Sequence, residues 1–150
     1  MPTFLLVIPK WQPPRCNRWR GRHWSIAHRL RKQSTQLLGV YALQQHVPRA
    51  TGRRRVSVEV ALAPRMRRSD ADSFDKLLLD ALQGAGLLVD DGELSLAGPV
   101  EVSFRRGTAG NWGTVLYLTD VEERAVLKVQ ESAAIMHRWT GAFAGLGLRR

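Results

Sequence analysis

Apolar and polar positions along this chain follow two different periods, and the switches between them divide it into elements. Thr3 to Ile8 is a short β-like apolar run, stopped by Pro9 and then by Pro13-Pro14, which cannot continue a central strand. From Ile26 to Gln45 the spacing predicts a helix with Ser25 as N-cap. Ile26, Leu30, Leu37, Leu38 and Tyr41 turn inward, Arg29, Arg31 and Lys32 stay in water, and Pro48 and Gly52 close the element. Val56 to Leu62 has the period-two pattern of a half-buried strand. A second helix begins near Ser73, because Phe74, Leu77, Leu78, Ala81, Leu82 and Ala85 recur at i, i+3, i+4, i+7, i+8 and i+11; Gly84 and Gly86 supply its stop. Leu87-Leu88-Val89 is a short apolar run ending at Asp90-Asp91. Val100–Arg105 and Thr114–Leu118 read as strands joined by a glycine-rich hairpin turn over Gly107–Gly113. Val121 to Thr140 reads as a mixed-charge helix with Ala125, Val129, Ala133, Met136 and Trp139 mostly on one side. The order β-α-β-α-β-β-α predicts an α+β fold, a single domain in which a small mixed sheet packs with helices. Residues 1–120 form that domain and 121–150 a C-terminal helical extension of unassigned role.

The 150 residues suit one domain with a sizeable core. No apolar run approaches the length of a membrane span, and the apolar start lacks the basic leader and length of a secretion signal. Cys16 is the single cysteine, so stability comes from packing and the chain suits a reducing cytoplasm.

Charge changes the picture. Lys and Arg number 23 against 13 Asp and Glu, a formal net charge of +10 that favours a polyanionic partner. The excess is concentrated: residues 1–68 hold 15 basic side chains against Glu59 alone. Between Asp70 and Glu93 the sign reverses, with seven acids (Asp70, Asp72, Asp75, Asp80, Asp90, Asp91, Glu93) around one base, Lys76. Such a cluster repels phosphate unless a cation sits between them. Asp70 and Asp72 are two apart before a helix, where extended backbone points both the same way. Asp72, Lys76 and Asp80 follow at i, i+4, i+8, along a polar face that rims the apolar stripe. Converging carboxylates are hard oxygen ligands that select Mg²⁺ or Mn²⁺. Taken singly, each aspartate reads as a helix cap or a surface group, with Lys76–Asp80 as an exposed pair. Cys16, His23 and His28 form a looser zinc alternative that lacks a fourth ligand.

The segment Arg67-Arg68-Ser69-Asp70-Ala71-Asp72-Ser73-Phe74-Asp75-Lys76, continued by Leu79-Asp80-Ala81-Leu82, Gly86 and Asp90-Asp91, resembles the signature of RusA-type Holliday junction resolvases. The loop Pro13-Pro14-Arg15-Cys16-Asn17-Arg18-Trp19-Arg20 is similar to the family's proline-then-asparagine loop. The likeness covers roughly residues 3–120 and is specific from Arg67 to Asp91. It implies a Mg²⁺-dependent (or Mn²⁺-dependent) crossover junction endodeoxyribonuclease of the bacterial cytoplasm, cellular or phage-borne, acting in DNA recombination and repair. It implies Asp70, Asp72 and Asp91 as metal ligands and Lys76 as the catalytic lysine. It also implies a homodimer whose two-fold axis matches a four-way junction, so that paired symmetric cuts are made. Ser73 stands where the family has asparagine, which removes a side-chain amide from beside the ligands. Arg15, Asn17, Arg18, Arg20, Arg22, Arg67 and Arg68 are the expected DNA contacts, with the wider basic stretches Arg15–Lys32 and Arg53–Arg55 as grip. Trp11, Trp19 and Trp24 are candidates for base stacking or for the core. The alternatives are a non-enzymatic basic nucleic-acid-binding protein, decayed at Ser73, and a nuclease for other branched DNA.

Overall fold

A computed structural model describes residues 1–15, 24–68, 75–90 and 95–121, with Asp75 described by its backbone only. The elements are β1 (Thr3–Pro9), α1 (Trp24–Gln44), β2 (Arg54–Leu62), α2 (Asp75–Gly84), β3 (Glu101–Arg106) and β4 (Gly113–Asp120). They form one mixed sheet in the order β1-β4-β2-β3 with two helices, an α+β fold. Residues 122–150, and with them the expected C-terminal helix, lie outside the described residues. None of the described helices is long and apolar enough to cross a membrane.

The alternation within each strand sends one set of side chains to a single core. Leu6 and Ile8 from β1, Val56, Val58, Val60 and Leu62 from β2, and Leu116 and Leu118 from β4 share it with Leu38 and Ala42 of α1 and Leu78, Ala81 and Leu82 of α2. Each valine, leucine or isoleucine among them contributes on the order of 1.5–3 kcal/mol on full burial. The opposite face is more polar and more open. Leu5 and Val7 are exposed there, and on the β2–β3 half Arg105 pairs with Glu59.

The expected hairpin between the last two strands does not form. β3 pairs with β2 in parallel, with Ser57 opposite Glu101 and Leu62 opposite Arg106, whereas β4 runs antiparallel between β1 and β2. Burial decides this. β4 carries Thr114, Leu116 and Leu118 fully inside and needs a neighbour on each side, while β3 bears Glu101, Arg105 and Arg106 and tolerates an edge. The loop from β3 to β4 therefore passes the end of β2, where the Gly107 N–H donates to the Leu62 carbonyl at 2.7 Å. Gly113 then starts β4 at φ 149°, so close to β1 that a Cβ would run into the Ile8 carbonyl.

Helix α1 starts at Trp24, so Ser25 lies in its first turn and is not the cap. Its buried stripe is Ser34, Leu38 and Ala42, at i, i+4, i+8; Leu37 and Tyr41 pack against the edge of the core, and Ile26 and Leu30 are half-buried. α2 ends as its glycines indicate. Gly86 takes φ 73°, its N–H donates to the Gln83 carbonyl, and the Leu87 N–H donates to that of Leu82, which together make a Schellman stop. The turn delivers Leu87 and Leu88 into the core just ahead of Asp90.

Arg54 departs furthest from its expected role. It stands in the inward series of β2 with Val56, Val58 and Val60, and its residue surface is 0% exposed. Nε donates to Asp120 Oδ1 at 2.6 Å, and Nη1 donates to the carbonyls of Pro48 (3.2 Å) and Leu87 (3.1 Å). The guanidinium also lies 5.5 Å from the centre of the Phe4 ring. Arg54 is thus removed from the expected Arg53–Arg55 grip by burial. Arg53 donates to the Leu96 carbonyl at 3.0 Å, which leaves Arg55 as the fully exposed member of the three.

Arg54→Met should lower stability by about 1–3 kcal/mol, because it leaves the Pro48 and Leu87 carbonyls without their donor while the Asp120 carboxylate, 36% exposed, turns to water. Arg55→Met should stay within about 0.5 kcal/mol. Gly113→Ala should cost about 1–3 kcal/mol through its positive φ and the Ile8 carbonyl. Urea unfolding of the three variants measures all of these.

Candidate nucleic-acid interface and catalytic lysine

Lys76 is exposed in the first turn of α2, and its surroundings follow from how the two helices meet. Thr35 sits where a Cβ on Gly84 would approach its Cγ2 to 2.8 Å. One turn earlier on each helix, Arg31 Nη1 lies 3.9 Å from Asp80 Oδ2. One turn earlier again, Ala27 and His28 face Lys76 and Leu77 across a groove of about 160 Å³. The partners advance in step by about four residues, so α1 and α2 run parallel and begin at the same end. Gly84 allows the close approach at one end of this seam. At the other, longer side chains hold the groove open. The positive ends of both helix dipoles point toward the side where Lys76 stands.

A second basic group forms where three segments converge. The stretch after β2 is held by its main chain: Arg15 Nη2 donates to the Arg67 carbonyl at 2.7 Å, and Arg106 Nη1 donates to the Met66 carbonyl at 2.8 Å. Met66 packs against the core, and the Arg68 guanidinium lies 5.5 Å from the centre of the Phe104 ring. Arg67 and Arg68 are left exposed beside Arg15 and Arg106, immediately ahead of the carboxylate-bearing segment.

No protein-family model and no curated protein matches the chain.

Of the residues expected to act, Lys76, Arg15, Arg67 and Arg68 are described. Asp70, Asp72 and Asp91 lie outside the described residues, as do Ser73, Asn17, Arg18, Arg20, Arg22 and Trp19. Arg15 and Arg67 meet directly, while Lys76 belongs to the groove between the helices. Trp11 is half-buried against the core, whereas Trp24 is 72% exposed, with its ring edge-on to His28 at 6.2 Å between centroids. Of the zinc alternative only His28 is described, and it lines the groove. Among the described residues no three His, Cys, Asp or Glu side chains are grouped to hold a metal. The three expected ligands are all carboxylates, a donor set that fits Mg²⁺ or Mn²⁺ and not a softer ion.

Arg106 belongs to these surroundings and is not marked by the sequence, while His28 and Arg31 are marked only as a loose zinc ligand and as part of the Arg15–Lys32 grip. Arg106 reaches Met66 only because parallel pairing sets it opposite Leu62 at the end of β2, a register that the expected hairpin would not produce. His28 and Arg31 carried a signal, since with Trp24 and Ala27 they fall at i, i+3, i+4 and i+7 on one helix face. That stripe reads as a solvated surface until α2 is set beside it.

Arg106→Ala should cost no more than about 1 kcal/mol of global stability, since it removes one exposed hydrogen bond. It should nevertheless release the stretch after β2. Tryptic cleavage at Arg65, Arg67 and Arg68 under native conditions is expected to become several-fold faster than in the unaltered protein, and Arg55→Ala should leave that rate unchanged. Mass spectrometry of timed digests reads both.

Proposed function

We propose that the protein is a Mg²⁺-dependent, structure-specific endodeoxyribonuclease that resolves four-way DNA junctions as a homodimer. One observation carries the reading furthest. The short stretch bearing Asp70 and Asp72 is strung between Arg67 and Arg68, anchored on one side by Arg15 and Phe104, and Lys76 in the first turn of α2 on the other. Carboxylates flanked in the chain by cations suit phosphodiester hydrolysis at a metal. The cations draw the DNA backbone in, and the carboxylates hold the ion that offsets their own repulsion of it. The resemblance of Arg67–Asp91 to the resolvase signature points the same way.

In this reading Asp70, Asp72 and Asp91 hold the ion. Mg²⁺ or Mn²⁺ bound there supplies a more acidic coordinated water and a counter-charge for the phosphoryl oxygens. The chain's own groups do the rest. Arg67 and Arg68 each bring a guanidinium fork to a phosphate, geometry that a flexible ammonium does not match. Arg15 and Arg106 act indirectly, by holding the main chain from which those forks project. The Lys76 ammonium donates hydrogen bonds to the phosphoryl group as charge builds on it or on the leaving oxygen. Ser73 in place of asparagine gives the contrary reading its footing, a basic DNA-binding protein without turnover.

A synthetic mobile junction separates the two. Incubation with Mg²⁺ or Mn²⁺ should give paired symmetric nicks that EDTA abolishes, and tight binding without nicks would leave only the non-enzymatic reading. Asp72→Asn should retain junction binding and lose cleavage by about 100-fold or more, and Lys76→Ala should lose about 10²–10³-fold. Arg67→Gln with Arg68→Gln should weaken binding and lower the salt slope by about one per phosphate contact. Flap and fork substrates in parallel reveal a preference for other branched DNA.

A further inference from the structure

The groove between α1 and α2 has no part in the roles assigned so far beyond Lys76 at its end. One wall is Ala27, His28 and Arg31 of α1, and the other is Lys76, Leu77 and Asp80 of α2. Its chemistry is mixed in a particular way. Arg31 and Lys76 supply cationic donors from opposite walls, and the His28 imidazole offers a further N–H. Asp80 lies 3.9 Å from Arg31, near enough to bias where the guanidinium sits without enclosing it, since the Arg31 side chain stays 50% exposed. α1 has no acidic residue in its first turn, so its own sequence does not offset its positive end. Trp24 stands one turn before His28, 72% exposed, with the edge of one ring against the face of the other. An aromatic ring of that size left open to water beside a cationic groove has the makeup of a base-stacking platform.

Building on the nuclease reading, we propose that this groove is a nucleotide subsite of the DNA-binding surface. A phosphodiester next to the one served by Lys76 enters between Arg31 and His28, and its base stacks on Trp24. The chemistry favours single-stranded or unpaired DNA over duplex. A stacking face is useful only to a base that has left its helix, and bases at a branch point are the ones free to leave. Asp80 is a positioning residue, which turns Arg31 toward the groove and keeps the site from holding a phosphate irreversibly. The Trp24, Ala27, His28, Arg31 stripe thus extends the interface along α1.

The test uses the full chain in EDTA with fluorescein-labelled hexathymidylate, so that binding is read without catalysis. Arg31→Gln should weaken binding by about tenfold and lower the salt slope by about 0.7, the value for one phosphate contact on a single strand. Trp24→Ala should weaken it by about 5- to 100-fold, the range for loss of one stacked base, and Trp24→Phe should restore most of the loss. Asp80→Asn should shift affinity without changing the slope. Circular dichroism melts check that each variant is folded, as expected for exposed positions. Binding and slope unchanged in both Arg31→Gln and Trp24→Ala would overturn the subsite. Junction cleavage by the unaltered chain is scored separately with Mg²⁺. Nicking with Arg31→Gln and Trp24→Ala both silent sinks the subsite alone. An affected Arg31→Gln without nicking leaves the subsite standing and removes the nuclease.

Discussion

The buried guanidinium of Arg54 is the contact on which the other elements converge. A charge in the inward row of a central strand is costly unless its donors are met, since both desolvation and lost hydrogen bonds count against it. Here Nε meets Asp120 at the end of β4, Nη1 meets the carbonyls of Pro48 and Leu87, and the face of the group meets Phe4 of β1, while Nη2 has no hydrogen-bond partner among the described residues. One side chain therefore fixes the far end of β4, the link from α1 into β2 and the turn leaving α2. The last of these bears on the site. Leu87 lies four residues ahead of Asp91, so the base of the run that carries an expected metal ligand is tied to the centre of the sheet. Lysine could not replace it, because an ammonium lacks the fixed planar fork that reaches three oxygens in different directions.

The second constraint is the parallel seam between the helices. Gly84 against Thr35 sets their closest approach, and the Schellman stop at Gly86 sets where the chain turns back. With those two points fixed, α2 cannot slide along α1 without losing Leu78, Ala81 and Leu82 from the core. The position of Lys76 relative to His28 and Arg31 is thereby a consequence of packing some two turns away. The edge of the sheet is managed locally as well. The Val7 N–H donates to Gln45 Oε1 at 2.8 Å and Gln45 Nε2 donates to the Val7 carbonyl at 2.7 Å, so a side-chain amide takes the place of a neighbouring strand on β1.

Much of this was legible in the residues. Period two over Val56–Leu62 and the 3.6 period of Leu77, Leu78, Ala81 and Leu82 report burial on one face, which is a local property and so survives in sequence. The glycine stop of α2 was legible for the same reason, since only the backbone at Gly86 has to be satisfied. Strand order was not, because the link over Gly107–Gly113 fits a hairpin as readily as a crossing. Only the competition for buried neighbours gives β4 the central place and β3 the edge, although the charges of Glu101, Arg105 and Arg106 did mark β3 as suited to it. Arg54 reads as surface because a basic triplet looks solvated, and its partners Leu87 and Asp120 are remote in sequence. The candidate site divides similarly. Lys76, Arg15, Arg67 and Arg68 were read from spacing and resemblance, whereas Arg106, His28 and Arg31 depend on sheet register and helix pairing.

A net charge of +10 overstates what is available to DNA. Arg54 is spent on the core, Arg53 on the Leu96 carbonyl, Arg105 on Glu59, and Arg15 and Arg106 each give a donor to the chain that carries Arg67 and Arg68. Such arginines contribute to the long-range field that draws in a polyanion, but not to the short contacts that hold it. The distinction bears on specificity. A uniformly basic surface would bind any duplex, with affinity set by phosphate count alone. Here the arginine forks ahead of α2 offer guanidinium groups, whereas the groove between the helices has an exposed indole one turn from His28. On the proposed reading a continuous duplex engages the forks alone, whereas a strand with an unpaired base engages both. A preference for branched over linear DNA is what the proposed subsite entails, because only a substrate that has already opened offers a base to Trp24.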